Sequence, residues 1–182
     1  MGGTGYDSGR ERVVLTAEQI QTRVRELARQ IEDDFRGRTI HAICVLENGF
    51  VFMADLIRAL RADVICHFIR PDFTEVGGTT EIFYSPEPVV AGEHVLMVET
   101  LIQSGVTSEF LMRNVLARGA ATVRLVTLLD RQAARRVMLQ PDYFGFLVDE
   151  PFVFGYGLGE HSRGRNLPYL ATSDTHVAAS GI

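Results

Sequence analysis

The stretch VETLIQSGVT, Val98 to Thr107, holds the densest chemistry in the chain. An apolar run meets an acid, Glu99, then passes through Thr100 into a tight polar turn at Gln103, Ser104 and Gly105. Val106 and Thr107 follow and open what reads as a helix. Gly105 lets backbone approach a ligand closely, Ser104 and Thr107 offer hydroxyls, and a helix N-terminus favours an anion. A phosphate-sized group would suit such a turn. An ordinary strand-to-helix connection can look the same, and the turn alone does not separate the two readings. Its shortage of acids is unusual for a nucleotide site: Glu99 is the single carboxylate in the stretch.

Three other short polar segments follow apolar runs: Glu47-Asn48-Gly49, Asp130-Arg131, and the residues after Val148. The runs before them, TIHAICVL, HVLMVET, TVRLVTLLD and DYFGFLV, read as buried strands, as does DVICHFI from Asp63 to Ile69. VFMADLIRAL and SEFLMRNVLARG read as helices, the latter ending at Gly119 as a C-cap. Thr16 with Gln19 makes a capping box, with Ile20, Val24, Leu27 and Ile31 following at helical spacing. Strand–helix alternation predicts an α/β fold, a mainly parallel sheet with helices on both faces. In open parallel sheets ligands sit beyond the carboxyl ends of the strands, so the four polar segments should converge along one edge. From Arg70 to Glu93 the pattern breaks up around Pro71, Gly77-Gly78, Pro86 and Pro88, which reads as a long loop or flap.

The chain has 182 residues, near the size of one domain, and is 46% hydrophobic and 23% charged. We expect loose tails over residues 1–14 and 171–182 around one domain at 15–170. A net charge of −5 argues against a polymeric nucleic-acid binder, which normally carries a basic face. All 18 positive charges are Arg, so no Lys is available for any catalytic role. Cys44 and Cys66 lie in apolar runs and read as buried reduced thiols. The N-terminus has no apolar core of a signal peptide, and no run reaches the ~20 apolar residues that span a bilayer. A cytoplasmic protein without membrane partners is expected.

VFMADLIRAL, VLMVETLIQSGVT, LARGA, VTLLDR, PDYFGFLV, FVFGYGL and RNLPY occur in the order and approximate spacing of bacterial hypoxanthine-guanine phosphoribosyltransferases, which the chain resembles from about Leu15 to Tyr169. The resemblance implies the type I phosphoribosyltransferase fold, a mainly parallel sheet flanked by helices with a small C-terminal hood. It implies transfer of ribose 5-phosphate from phosphoribosyl pyrophosphate to hypoxanthine or guanine, giving IMP or GMP with magnesium as cofactor. It also implies a homodimer or homotetramer. By position, Ser104, Gly105, Val106 and Thr107 match the 5-phosphate loop, and Glu99 with Thr100 the ribose-binding pair. Phe152 matches the residue that stacks on the base, and Val153 the one whose backbone reads the purine edge. Core packing is the alternative for both. Arg131 stands where the family has a Lys facing the purine oxygen, a substitution that changes donor geometry. Glu47, Asn48 and Gly49 match the pyrophosphate loop, and Arg165 an Arg that contacts pyrophosphate; Arg163 could share that role.

The departures cluster where the chemistry would be. Thr100 replaces an Asp of the ribose pair. Gln103 replaces the Asp placed near the purine N7 and, being neutral, cannot act as a base. Gly159 replaces an Asp that helps hold magnesium; Glu160 is adjacent, with different geometry. Glu47 replaces a Lys, turning a cation facing pyrophosphate into an anion. The flap DFTEVGGTT lacks the family's Ser-Tyr pair. General acid–base assistance is typically worth about 10²–10⁴-fold, or ~3–5 kcal/mol at about 1.4 kcal/mol per tenfold. The resulting expectation is a relative that retains purine nucleotide binding, with magnesium weakly held or absent and catalysis impaired or lost. Three readings stay open beside it: a working purine transferase with unusual residues, a regulatory or interaction protein, and a transferase for another acceptor.

Overall fold

A computed structural model describes residues 11–72, 81–85, 87–159 and 164–173. Six strands form the main sheet. In chain order they are β2 (Ile40–Val45), β3 (Val64–Asp72), β4 (Glu81–Ser85), β5 (His94–Ile102), β6 (Thr122–Asp130) and β7 (Tyr143–Leu147), and in space they run β4-β3-β2-β5-β6-β7. Every neighbouring pair is parallel except β3 with β4. Three helices join them: α1 (Ala17–Asp34), α2 (Phe50–Ala59) and α3 (Val106–Ala117).

Helices cover both faces, so the central strands are buried on both sides and read as continuous apolar runs instead of alternating ones. On one face Ile20, Val24, Leu27 and Ile31 of α1 and Phe52, Met53 and Leu56 of α2 pack over Ala42, Cys44, Leu96, Val98, Val126 and Leu128. On the other, Leu111 and Val115 of α3 pack over Ile43, Met97 and Leu125. The capping box holds: the Gln19 N–H donates to Thr16 Oγ1 at 3.2 Å, and the Thr16 N–H donates to Gln19 Oε1 at 2.8 Å. Gly119 follows the last turn of α3 at φ 91°, the left-handed position that ends a helix most easily with glycine.

Two sequence expectations change. Residues 11–14 and 171–173, expected in loose tails, belong to β1 (Glu11–Leu15) and β8 (Leu170–Ser173), which pair antiparallel as a separate two-stranded sheet, while residues 1–10 and 174–182 lie outside the described residues. β8 is buried throughout, and the Thr172 hydroxyl donates to the Phe152 carbonyl at 2.8 Å. Backbone pairing between segments about 160 residues apart orders these ends, and local composition does not display it. The second change is in the expected flap. β3 runs through Pro71 to Asp72, and EIFYS forms β4 beside it. Proline lacks an N–H, but pairing of β3 with β2 ends at Ile69, so at Pro71 one side of the strand is an edge that tolerates it. Residues 73–80 and 86 of the flap, and Glu160 and Arg163, lie outside the described residues. No helix among the described residues is long and apolar enough to cross a membrane.

Candidate functional site

The carboxyl ends of β2, β5 and β6 bring the polar segments together. β5 ends at Ile102, and the chain turns through Gln103, Ser104 and Gly105 into α3. Gly105 caps α3 at φ 77°, a backbone conformation that L side chains rarely adopt. Space is tight as well, since a Cβ there would lie 3.0 Å from the Arg135 Cδ and the Val137 Cγ2. Asn48, Glu99, Gln103, Ser104, Gly105, Thr107 and Ser108 line a cavity of about 260 Å³. The turn spans Gln103 to Gly105 at the sheet's carboxyl edge, lining that cavity, and Val106 and Thr107 are the first two residues of α3.

Glu99 is the one acid in that lining. It is 9% exposed, and its Oε1 has no hydrogen-bond partner among the described residues. Burial pushes its carboxyl up to about 7, offset in part by the Ser108 hydroxyl bonded to it and by the charge of Arg135. A carboxyl that changes charge near neutrality, with a free oxygen beside a phosphate-sized turn, can accept a hydroxyl or exchange a proton. Thr100, expected beside it at the ribose, takes another role. It is 1% exposed and absent from the lining, and its Oγ1 donates to the Asn48 carbonyl at 2.8 Å.

The Glu47–Gly49 loop follows β2, with a cis peptide between Leu46 and Glu47. A Cβ on Gly49 would lie 2.6 Å from the Val45 carbonyl oxygen and 2.9 Å from the Cys44 Sγ, so only glycine fits the close approach. Arg165 reaches this loop. Its Nη1 donates to Asn48 Oδ1 and to the Gly157 carbonyl, each at 2.7 Å, and its Nη2 lies 3.6 Å from Glu47 Oε2. The four residues expected at pyrophosphate thus meet, but with the cation already facing the anion.

The expected purine residues gather beyond β6 and β7. Arg131 Nη1 donates to the Pro151 carbonyl at 3.0 Å, next to Phe152 and Val153. Phe152 stacks on Phe154 with centroids 5.9 Å apart, whereas the Val153 side chain packs in the core. Gly159 offers no side-chain oxygen, and among the described residues no group of three or more His, Cys, Asp or Glu could hold a metal ion.

Three participants had no role assigned from sequence, although Asp130 stands in a polar segment expected at this edge. Ser108 lies in the first turn of α3, on the side that lines the cavity with Thr107. Asp130 is 1% exposed at the end of β6 and pairs with Arg135. An acid closing an apolar strand was a usable signal for Asp130. Nothing in RQAARRV singled out Arg135.

A family profile described as the phosphoribosyl transferase domain matches residues 14–161. A hypoxanthine-guanine phosphoribosyltransferase from Mycobacterium avium is 35% identical over 182 residues, covering 94% of this chain and 90% of that protein. The bifunctional protein TilS/HprT of Listeria monocytogenes is 36% identical over 169 residues; the match takes in 88% of this chain but only 25% of that longer protein. The crystal structure of a hypoxanthine-guanine phosphoribosyltransferase from Bacillus anthracis superposes with a TM-score of 0.84 at 37% identity, covering 90% of this chain and 96% of that one.

Proposed function

The chain belongs to the hypoxanthine-guanine phosphoribosyltransferases, within the phosphoribosyl transferase domain family, and from that membership we propose a purine nucleotide site whose phosphate-binding part is intact and whose transferase chemistry is impaired. The observation carrying this reading is the turn itself. Gly105 caps α3, and Ser104 and Thr107 line the cavity, while the position of the family's N7 acid is the neutral Gln103. Backbone N–H groups at a helix N-terminus bind phosphate without a metal. GMP or IMP would place its phosphate on Ser104–Thr107, its ribose against Glu99, and its base near Arg131, Phe152 and Val153.

The same geometry supports weak use of phosphoribosyl pyrophosphate. Arg165 is engaged by Glu47, Asn48 and Gly157, so a pyrophosphate would compete for it against an anion already in place. In a transfer reaction magnesium offsets charge on the leaving pyrophosphate. Here it would have to arrive on the substrate, because Gly159 supplies no ligand. Within this reading the protein is a cytoplasmic homodimer or homotetramer.

One observation favours the working transferase. Glu99 sits near a pKa of about 7, the range suited to general acid–base work at neutral pH. A steady-state assay with phosphoribosyl pyrophosphate, magnesium and guanine or hypoxanthine decides, run beside calorimetric titration with GMP. The expected outcome is GMP binding that depends weakly on magnesium, with turnover well below about 1 per second. Turnover at or above that rate refutes the impairment. No binding at millimolar GMP refutes the nucleotide site and leaves the interaction-protein reading.

A further inference from the structure

The cavity lining contains no cation, although its proposed ligand carries a phosphate dianion. A largely buried cation, Arg135, lies against the turn at Gly105. Arg135 follows a single 3-10 turn at Gln132–Ala134 in the connection after β6, and only 13% of its side chain is exposed. Its Nη2 is held by Oδ1 of the buried Asp130. Its Nη1 is buried with no hydrogen-bond partner among the described residues. That free nitrogen faces the turn, since a Cβ on Gly105 would lie 3.1 Å from it.

The connection is also tied to the turn by backbone. The Arg131 N–H donates to the Ile102 carbonyl and the Arg136 N–H to the Ser104 carbonyl, each at 2.9 Å. Asp130 is bonded on the Nη2 side, so the positive end of the Asp130–Arg135 pair points at Gly105. It reinforces the N-terminus of α3, which already favours an anion. The charge reaches Glu99 too. The groups acting on that carboxyl are Arg135 from this connection and Ser108 from α3, and the Cys44 thiol of β2 lies near it, pushed up to about 12 and so uncharged. An ionised Glu99 next to a phosphate dianion would put like charges together; a fixed guanidinium behind both offsets that.

We propose that Arg135 is the positioning residue of the phosphate site: clamped by Asp130 against the back of Gly105, it sets the charge and shape of the Gln103–Thr107 turn and so selects phosphorylated nucleosides over neutral ones. This rests on the nucleotide-site reading above and adds what discriminates at that site. Because Nη1 is buried, Arg135 acts through the turn and does not touch the ligand.

The test is titration of the full chain with GMP and with guanosine across pH 6–8.5. The variants are Arg135→Lys, Arg135→Gln and the double change Asp130→Asn with Arg135→Gln. The double change replaces the ion pair with neutral partners, so that no carboxylate is stranded in the interior. Expected is a loss of at least about tenfold in GMP affinity for the double variant, with guanosine affinity within about twofold of the parent. Arg135→Lys retains most of the GMP affinity, and the pH midpoint set by Glu99 moves up in the double variant. Equal losses for GMP and guanosine, or an unchanged GMP affinity and midpoint in a folded double variant, overturn the proposal. A parent protein that binds neither ligand at millimolar concentration removes the nucleotide-site reading itself, and this inference with it.

Discussion

Glu47→Lys separates the pyrophosphate loop from the phosphate turn. Glu47 is 60% exposed and lies 3.6 Å from Arg165, whose other bonds to Asn48 and Gly157 do not depend on it. An exposed pair of this kind is worth about 0–1 kcal/mol, so the substitution should leave stability nearly unchanged. Ligand binding is different. A unit charge about 5 Å from a pyrophosphate oxygen contributes about 1–3 kcal/mol between the limits of bulk water and a protein surface. The exposure of Glu47 puts its share at the low end, about 1 kcal/mol of repulsion removed and about 1 kcal/mol of attraction added. That sum is ~30-fold in affinity. Calorimetric titration with pyrophosphate should show the gain, with Glu47→Gln giving about fivefold, and 1 M salt should abolish most of it. GMP affinity should stay within about threefold, because GMP has no pyrophosphate to place there. An unchanged pyrophosphate affinity, or an equal change for GMP, would refute the assignment of this loop.

Restoring acids should restore chemistry only in combination: Gln103→Asp with Gly159→Asp and Glu47→Lys should raise nucleotide synthesis above the parent, measured by product formation, while single changes do little because such groups act as a unit. Thr100→Asp should lower the melting temperature, since an ionised carboxylate would replace a buried hydroxyl that donates to the Asn48 carbonyl. Gly155→Ala should destabilise by about 2–5 kcal/mol or prevent folding, because Gly155 has φ 99° and a Cβ would overlap the Tyr169 carbonyl oxygen; urea unfolding checks it. Glu99 should make stability fall with rising pH: its folded carboxyl is raised to about 7 from 4.5, so the native state holds the proton more tightly. The stabilisation is complete below about 4.5, and on the order of 3 kcal/mol is lost as pH rises through about 7. Glu99→Gln should lack this component in urea titrations at pH 5 and 8.

The sheet was legible because burial on both faces writes β2, β5 and β6 as unbroken apolar runs, and the first helix was legible from its capping box and spacing. β4 was hidden by its shortness and the prolines near it. β1 and β8 were hidden because each is ordered by the other. At the site, residue types marked the turn, the Gly49 loop and Arg165, since each follows a strand or a recognisable segment. Partnerships were not marked. That Glu47 faces Arg165, that Thr100 holds Asn48, and that Arg135 backs Gly105 are facts about side-chain direction between segments 30 to 120 residues apart.

Those partnerships alter what the departures mean. An ionised Asp at position 100 would be an acceptor only and could not bond the Asn48 carbonyl. Thr donates to it at 2.8 Å, fixing the backbone of the Glu47–Gly49 loop from the β5 side. Arg165 fixes the same loop from the other side through the Asn48 Oδ1, and its charge meets Glu47 in place of a ligand. The residues at 47, 48, 100 and 165 are therefore one bonded arrangement, and the departures at 47 and 100 belong to it together. The turn after β5 is outside that arrangement, and beside it one carboxyl oxygen of Glu99 and one nitrogen of Arg135 have no hydrogen-bond partner among the described residues. Under the proposed reading, the open Glu99 oxygen is what a ribose hydroxyl would meet, whereas a pyrophosphate would have to compete with Glu47 for Arg165.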